Sequence, residues 1–315
     1  MTSPFGFGPN THVLKHGEKI YALVEGGVSP VIMDSEMNFL EEEPFPAADN
    51  KRFTAHPKID SDTGEMHAVS YDFGEYVNGL GQVHYVTVDS NGKLIKDQII
   101  ETPSRPMVHD CAITKNYVLI FDLPVTFNLG RRDDDNNPIG GDYPVVWNDK
   151  HTSRVGLQNK KTDEIIWIEV NPGFLFHIVN SYEDDNGQVV LDFCRYEKLF
   201  DFDNPLPMGQ KPFLTRWILD PKTKTCSEEM LDDRPMEFSR VHPDFDGKQH
   251  RFGYLLNDGR LNNYFKHDFE KSETIAHDFG ESCQAAEPVF IPRKNAKSED
   301  DLSLIHISEP TRQDR

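Results

Sequence analysis

Cysteine is scarce in this 315-residue sequence, which contains only four and no C-x-x-C pair. Disulfide frameworks and thiolate metal sites both depend on closely or regularly spaced cysteines. The sequence therefore excludes both classes, and it favours reduced thiols in a cytoplasmic protein. The four residues are Cys111, Cys194, Cys226 and Cys283.

Positive charge and long apolar runs are also lacking. The 33 Lys and Arg residues are outnumbered by 53 Asp and Glu residues, which gives a net charge of −20. A field of this sign repels phosphate backbones, so we expect no nucleic-acid partner. No apolar run approaches the ~18 residues of a membrane span, and residues 1–4 do not open a signal peptide. The chain is therefore expected to be soluble and not exported.

Several common catalytic motifs are absent. The sequence has no G-x-x-x-x-G-K-[ST], no G-x-S-x-G and no H-E-x-x-H. The Gly79-Leu80-Gly81 segment is followed by His84 where a dinucleotide-binding loop needs its third glycine. P-loop, Rossmann, serine-hydrolase and zincin interpretations therefore lose their main support.

Amphipathic helix periodicity is almost absent as well, and short strand-like runs separated by Gly, Asn and Asp turns dominate. Many hairpins without crossover helices indicate an all-β barrel, sandwich or propeller. A propeller would accommodate the whole length as one domain without long open edges. The clearest strand-like runs are residues 19–24, 83–88, 117–121, 165–168, 174–179 and 188–193.

Residues 124–154 interrupt this rhythm with an acidic and glycine-rich segment. The acidic run suggests calcium, but Pro138 stands where an EF-hand loop needs glycine and Pro144 stands where it needs glutamate. We interpret the segment as a solvated loop.

Histidine is abundant, and three of the thirteen histidines interrupt apolar segments: His56, His109 and His177. In a propeller the inner strands of successive blades face one axis, so these three imidazoles could meet there. Neutral imidazole binds Fe, Zn, Cu or Ni. From the residues alone, hydrogen-bonded structural histidines remain the alternative.

Three glutamates with apolar neighbours are candidate partners for these imidazoles, namely Glu25, Glu237 and Glu287. A metal-bound histidine usually donates its second N–H to a carboxylate, which fixes its tautomer. An unpaired carboxylate in apolar surroundings would be costly.

Short motifs around these residues run in a fixed order along residues 9–301, and in them the chain resembles the carotenoid cleavage oxygenase family. That family includes apocarotenoid oxygenases, lignostilbene dioxygenases and the retinoid isomerase. The motifs are P-N-T-H-V at 9–13, A-L-V-E-G-G at 22–27, T-A-H-P-K at 54–58, D-T-G-E-M at 62–66, H-D at 109–110, F-D-L-P at 121–124, S-R-V-G at 153–156, F-H-I-V-N-S-Y-E at 176–183, M-E-F at 236–238 and E-P-V-F at 287–290.

The resemblance implies a seven-bladed β-propeller with a non-haem Fe(II) ion on four axial histidines. It implies that His56, His109 and His177 are three of the four iron ligands. Glu25, Glu237 and Glu287 then resemble the family's glutamates that accept imidazole N–H bonds. The fourth ligand lies in a Phe-His-Gly type motif that this sequence lacks.

The resemblance also implies that both ends are incomplete. We expect residues 1–301 to form a partial propeller without the first blade and the C-terminal part. Residues 302–315 resemble translated sequencing-adapter sequence, so we interpret them as a non-native tail and do not take His306 as the fourth ligand. The 315-residue polypeptide is accordingly expected to bind iron weakly and to have little or no activity.

The implied activity is an Fe(II)-dependent dioxygenase that uses O2 to cleave one C=C bond of a carotenoid or apocarotenoid into two carbonyl products. The resemblance places a lysine before the first glutamate in members that cleave hydroxystilbenes, and Val24 stands there in this chain. An apolar polyene is therefore favoured as substrate, with a stilbene as the alternative. A retinoid isomerase and a non-enzymatic binding propeller also remain open, and family members often contact membranes peripherally.

Overall fold

The computed structural model describes residues 11–25, 29–42, 53–71, 83–127, 145–201, 209–257, 259 and 261–305. Within these residues there are 23 β-strands, one 3-10 turn at Pro243–Phe245 and no α-helix. The predicted all-β class is confirmed. No helix in this described part of the chain is long and apolar enough to cross a membrane.

The first two sheets are four-stranded antiparallel meanders in which each strand pairs with the next in sequence. Their turns use glycines with positive φ, such as Gly64 at +71° and Gly92 at +82°, where an L side chain would be strained. The strands are β1 (His12–His16), β2 (Lys19–Leu23), β3 (Val31–Met33) and β4 (Phe39–Glu42), then β5 (Lys58–Ile59), β6 (Met66–Tyr71), β7 (Val83–Val88) and β8 (Leu94–Ile100).

The third sheet has the order β14-β13-β10-β9, and a separate hairpin joins β11 to β12. The hairpin corrects our interpretation of residues 124–154 as a solvated loop, because both of its strands are buried. The acidic run lies outside the described residues. The strands are β9 (Ala112–Ile113), β10 (Tyr117–Asp122), β11 (Val125–Phe127), β12 (Val145–Trp147), β13 (Arg154–Asn159) and β14 (Ile165–Glu169).

The next sheet has seven strands because one long strand, β18 (Thr225–Arg240), belongs to two meanders. Its first part pairs with β17, and its last residues pair with β19. A final hairpin is formed by β22 and β23. The remaining strands are β15 (Phe174–Glu183), β16 (Val189–Tyr196), β17 (Phe213–Asp220), β19 (Phe252–Asn257), β20 (Asn263–Asp268), β21 (Glu273–Asp278), β22 (Val289–Pro292) and β23 (Leu302–Ile305).

The largest apolar core lies between the second, third and fourth meanders and includes the buried rings of Tyr85, Phe121, Phe174 and Trp217. Burying one such ring contributes roughly 1.5–3 kcal/mol to folding. Strand β15 is buried along most of its length, as expected for the inner strand of a packed blade. The core thus fixes the strand that carries His177.

Most of the candidate site residues lie within or just before the first strands of successive meanders. His56 lies two residues before β5, His109 three residues before β9, and His177 within β15. Glu237 lies in the last part of β18, and Glu287 lies two residues before β22. Because the meanders repeat with the same strand order, residues far apart in sequence are brought to one place.

Candidate metal centre

The structure brings His56, His109 and His177 together. Their ring centroids are 4.7 Å apart for His56 and His109, 5.1 Å for His56 and His177, and 5.0 Å for His109 and His177. One nitrogen from each ring lies within 4.8 Å of the others, and the two Nε2 atoms of His109 and His177 are 3.4 Å apart. This arrangement can hold a metal ion between three imidazoles.

Of the three imidazoles, His56 has the fewest hydrogen bonds to its ring nitrogens. Its side chain is buried, and neither Nδ1 nor Nε2 has a hydrogen-bond partner. Buried polar atoms are almost always paired, so two orphaned ring nitrogens indicate a missing ligand. Burial, followed by the electrostatic effect of the neighbouring His109 and His177 rings, holds the pKa of His56 well below its usual value. The neutral ring that results is the form that binds metals.

Glu25 orients His109. Its Oε2 lies 2.6 Å from Nδ1 of His109, which leaves Nε2 directed towards His177. The Tyr71 hydroxyl donates to the other oxygen of Glu25. The carboxylate therefore fixes the ring in the orientation that a metal ligand requires.

His177 lies between two carboxylates. Its Nδ1 is 2.5 Å from Glu237 Oε2, and its Nε2 is 3.1 Å from Glu287 Oε1. Burial acts to lower the pKa of His177, but the charges and hydrogen bonds of Glu237 and Glu287 outweigh it and raise the pKa to about 10. In the absence of a metal this ring is held as an imidazolium.

The end of β18 supplies two of the charged groups. Glu237 faces His177, and Arg240 donates to Oε2 of Glu287 through Nη2 and through Nε at 3.2 Å. Between them the pairing with β19 shifts register, and Phe238 adopts a positive φ of 52°. Bulges of this kind redirect side chains near functional sites, and here the bulge lets Glu237 and Arg240 reach the same centre.

A buried ion pair ties the three histidine-bearing segments together. Lys58, two residues after His56, lies 2.9 Å from Asp110, which follows His109. Asp110 also accepts a hydrogen bond from the backbone N–H of Ile178, which follows His177, at 3.2 Å. Burial lowers the pKa of Lys58, but Asp110 and Asp246 outweigh it and raise the pKa, so the Lys58 amine stays charged.

The sequence named the three histidines and three glutamates of the centre, and the structure places all six in one network. The contact of Glu287 differs from the expected one, because it reaches the nitrogen of His177 that faces the other rings. The roles of the six as ligands and partners stay predictions. The sequence analysis did not identify Tyr71, Lys58, Asp110 or Arg240 as residues of the centre. The last three lie within three residues of a predicted site residue, whereas no sequence feature pointed to Tyr71.

Comparisons with known proteins match almost the whole chain. The model of the RPE65 family, described as retinal pigment epithelial membrane protein, matches residues 8–312. A carotenoid cleavage oxygenase of Mycobacterium tuberculosis is 31% identical over 95% of this chain and 68% of its own length. An apocarotenoid-15,15'-oxygenase of Synechocystis is 27% identical over 94% of this chain and 63% of its own length.

A solved lignostilbene dioxygenase of Pseudomonas brassicacearum superposes with a TM-score of 0.82 at 25% identity, over 96% of this chain and 67% of that one. A Synechocystis apocarotenoid oxygenase superposes with a TM-score of 0.79 over 95% of this chain and 65% of that one. These matches confirm the predicted propeller fold. The chain spans about two thirds of the length of these relatives.

Proposed function

This chain belongs to the carotenoid cleavage oxygenase family, and from that premise we propose that it is the larger part of a non-haem Fe(II)-dependent dioxygenase. The reaction is cleavage of one C=C bond of a carotenoid or apocarotenoid by O2, which gives two carbonyl products. The observation that carries the proposal is the buried His56 ring with two unpartnered nitrogens beside His109 and His177.

His56, His109 and His177 would hold the iron. Glu25 and Glu237 would keep the Nδ1 proton on His109 and His177 and so direct their Nε2 atoms inward. When bound, Fe(II) supplies the capacity to activate O2 next to the substrate. The protein's task is to orient one double bond and to exclude water.

Aromatic rings beside the centre support an apolar substrate. Phe176 packs edge-to-face on His109 with centroids 5.0 Å apart, and Phe238 lies 5.0 Å from His177. Both can contact a polyene without offering a competing hydrogen bond.

A stilbene substrate is the second candidate. The structural similarity to a lignostilbene dioxygenase favours it, whereas Val24 in place of a lysine before Glu25 favours the polyene. The retinoid isomerase and the non-enzymatic propeller are weaker alternatives, because the curated relatives are named as oxygenases.

The remaining proposals concern partners and location. The charge of −20 supports the absence of a nucleic-acid partner, and four free cysteines support a cytoplasmic location. Exposed apolar side chains at Met37, Phe39 and Leu40 support peripheral membrane contact.

The test uses the polypeptide encoded by the complete genomic reading frame, loaded with Fe(II). We expect a β-apocarotenal and O2 to give shorter aldehydes, with label from ¹⁸O2 in both carbonyl products, and iron close to one per chain. Cleavage of a hydroxystilbene with no cleavage of the polyene would select the second candidate. A folded, iron-free protein would contradict the enzyme proposal.

A further inference from the structure

His12, in the P-N-T-H-V motif at residues 9–13, contacts the segment that carries His56. Its Nδ1 lies 2.9 Å from the backbone carbonyl oxygen of Ala55. A carbonyl oxygen only accepts hydrogen bonds, so Nδ1 of His12 carries the proton and donates it. The contact joins residues 43 positions apart, and it connects the first meander to the residue immediately before a candidate metal ligand.

The pairing of β1 with β2 explains why His12 reaches this place. The burial of β1 alternates along the strand, with His12 on its inner face. His12 pairs with Leu23 at the end of β2, two residues before Glu25, which contacts His109. The same end of the first meander therefore approaches two of the three candidate ligands, His109 through a carboxylate and His56 through the backbone.

Both edges of the peptide unit between Ala55 and His56 are held. Its carbonyl oxygen accepts from His12, and its N–H donates to Oγ1 of Thr54 at 3.1 Å. Because a peptide unit is planar, two hydrogen bonds on opposite edges fix its orientation. Pro57 then restricts His56 itself to extended conformations. The direction in which the imidazole leaves the backbone is therefore defined before any ion binds.

His56 depends on such an anchor more than the other two histidines do. Within the described residues neither of its ring nitrogens has a hydrogen-bond partner, whereas His109 and His177 each have a carboxylate at Nδ1. His56 also lies before β5 and not within it, so its position is not set by strand pairing. Cys111 Sγ lies 3.7 Å from the carbonyl oxygen of His56, but a thiol is a weak donor. The contact from His12 is the stronger of the two.

We propose that His12 is a positioning residue for metal binding, and that its hydrogen bond to Ala55 holds the His56 imidazole in place for the ion. It acts through the backbone of His56 and does not touch the metal. The proposal rests on the proposed iron site, and it names the residue that positions the one histidine without a carboxylate partner.

The experiment is a Co(II) titration of the 315-residue chain, with the affinity measured by competition with a chelator and the ligand-field bands by visible absorption. His12→Leu removes the donor and should lower the affinity for Co(II) about 10-fold, the low end of the loss that follows removal of a partner of a metal-bound histidine. The bands should shift as well, because His56 is displaced from the ion. His12→Asn has nearly the shape of His12→Leu but places an amide N–H where Nδ1 stands, and it should restore both readings.

Two controls separate positioning from a general loss of stability. His16→Leu removes a bond of the same kind from the same strand, between Nε2 of His16 and the carbonyl oxygen of Asp89 at 2.8 Å. It should leave the affinity for Co(II) unchanged. In a His56→Ala chain, His12→Leu should cause no further loss of affinity, because two residues that act through one contact are not additive. Circular dichroism verifies that each variant is folded, and His12→Ala replaces His12→Leu if the latter is not.

The outcomes are distinguishable. A folded His12→Leu chain that binds Co(II) as tightly as the parent chain overturns the positioning role. So does an equal loss in the parent and His56→Ala backgrounds, a His16→Leu chain that loses as much affinity, or a His12→Asn chain as weak as His12→Leu. All of these results leave the three-histidine site standing. If the folded parent chain takes up no Co(II) at all, the metal site of the proposed function is overturned together with the positioning role.

Discussion

The hydrogen-bond environment differs for each imidazole of the candidate centre. His56 has no partner for either ring nitrogen, His109 has one carboxylate, and His177 has two. The Lys58–Asp110 pair connects the backbone segments that carry these rings. The metal-binding geometry therefore depends on a buried charge pair as well as on the histidines.

Replacing Asp110 by Asn should destabilise the fold strongly. Lys58 would remain buried and charged without its partner, and breaking a buried pair from one side costs about 3–5 kcal/mol. Urea unfolding should show this loss in the free energy of unfolding, and the double variant Lys58→Met/Asp110→Asn should recover part of it. An Asp110→Asn variant as stable as the parent chain would contradict the role assigned to the pair.

His67 should make the fold sensitive to acid. Burial lowers the pKa of His67 to about 3 from a usual 6.5, and its Nδ1 lies 3.0 Å from the Tyr85 hydroxyl. Between these values the unfolded chain binds a proton that the folded chain does not, so stability falls as pH falls below 6.5. When the pH falls from 6.5 to 5.0, His67 should reduce the free energy of unfolding by about 1.5 kcal/mol.

The comparison is between urea denaturation at these two pH values for the parent chain and for His67→Gln. Between pH 6.5 and 5.0, we expect the free energy of unfolding of His67→Gln to fall by about 1.5 kcal/mol less than that of the parent chain. His277→Gln, at an exposed position of β21, should show the full loss. Equal losses for His67→Gln and the parent chain would be inconsistent with a neutral buried His67.

The sequence identified the site residues that the family motifs contain, but it did not identify most of the residues that hydrogen-bond to them. His56, His109 and His177 each interrupt an apolar run, which is a visible signal. Tyr71 ends a strand whose sequence has no unusual feature, and only the tertiary fold brings it to Glu25. The side of His177 that Glu287 contacts depends on Arg240 and on the bulge at Phe238, neither of which has a sequence signature.

At the scale of elements, the β18 strand links two meanders and ends at the centre. The short strand runs and their glycine turns were predictable because period-2 patterns and positive φ have local causes. The β11–β12 hairpin was not, since its strands have three residues each and are separated by a long polar segment. The membership of β18 in two meanders was not predictable either, because it depends on which strands pair with β18 in the folded chain.

Gly156 on β13 leaves room for the Trp167 ring of β14. A Cβ at this position would lie 2.8 Å from Trp167 Cζ3 and 3.1 Å from Ile165 Cγ2. Gly156→Ala should therefore destabilise the third meander by about 1–3 kcal/mol, measured by urea unfolding. In a Trp167→Leu background the same change should cost clearly less, because the clashing ring is gone; equal costs in the two backgrounds would exclude the clash.

At the scale of the whole molecule, five four-stranded meanders and the two hairpins β11–β12 and β22–β23 account for the strands of the described residues, with β18 counted in two meanders. The interpretation of residues 302–315 as a non-native tail stays a prediction. In the structure the first four of these residues form β23 and pair with β22.

The genomic sequence that follows codon 301 tests that interpretation. We expect it to diverge from the sequence of residues 302–315 and to encode a Phe-His-Gly type segment downstream. A genomic reading frame that reproduces residues 302–315 would show the tail to be native.

The central claim is that the three histidines hold one metal ion, and metal binding to the folded chain tests it most directly. Titration with Fe(II) under anaerobic conditions should saturate at one ion per chain. His56→Ala should lower the affinity for Fe(II) by ~10–100-fold or more, since the loss of even an indirect partner of a metal ligand has an effect of this size. The control is His84→Ala, which removes only the contact between His84 on β7 and Asp97 on β8 and should leave the affinity for Fe(II) unchanged. A folded His56→Ala chain that binds Fe(II) as tightly as the parent would contradict the account.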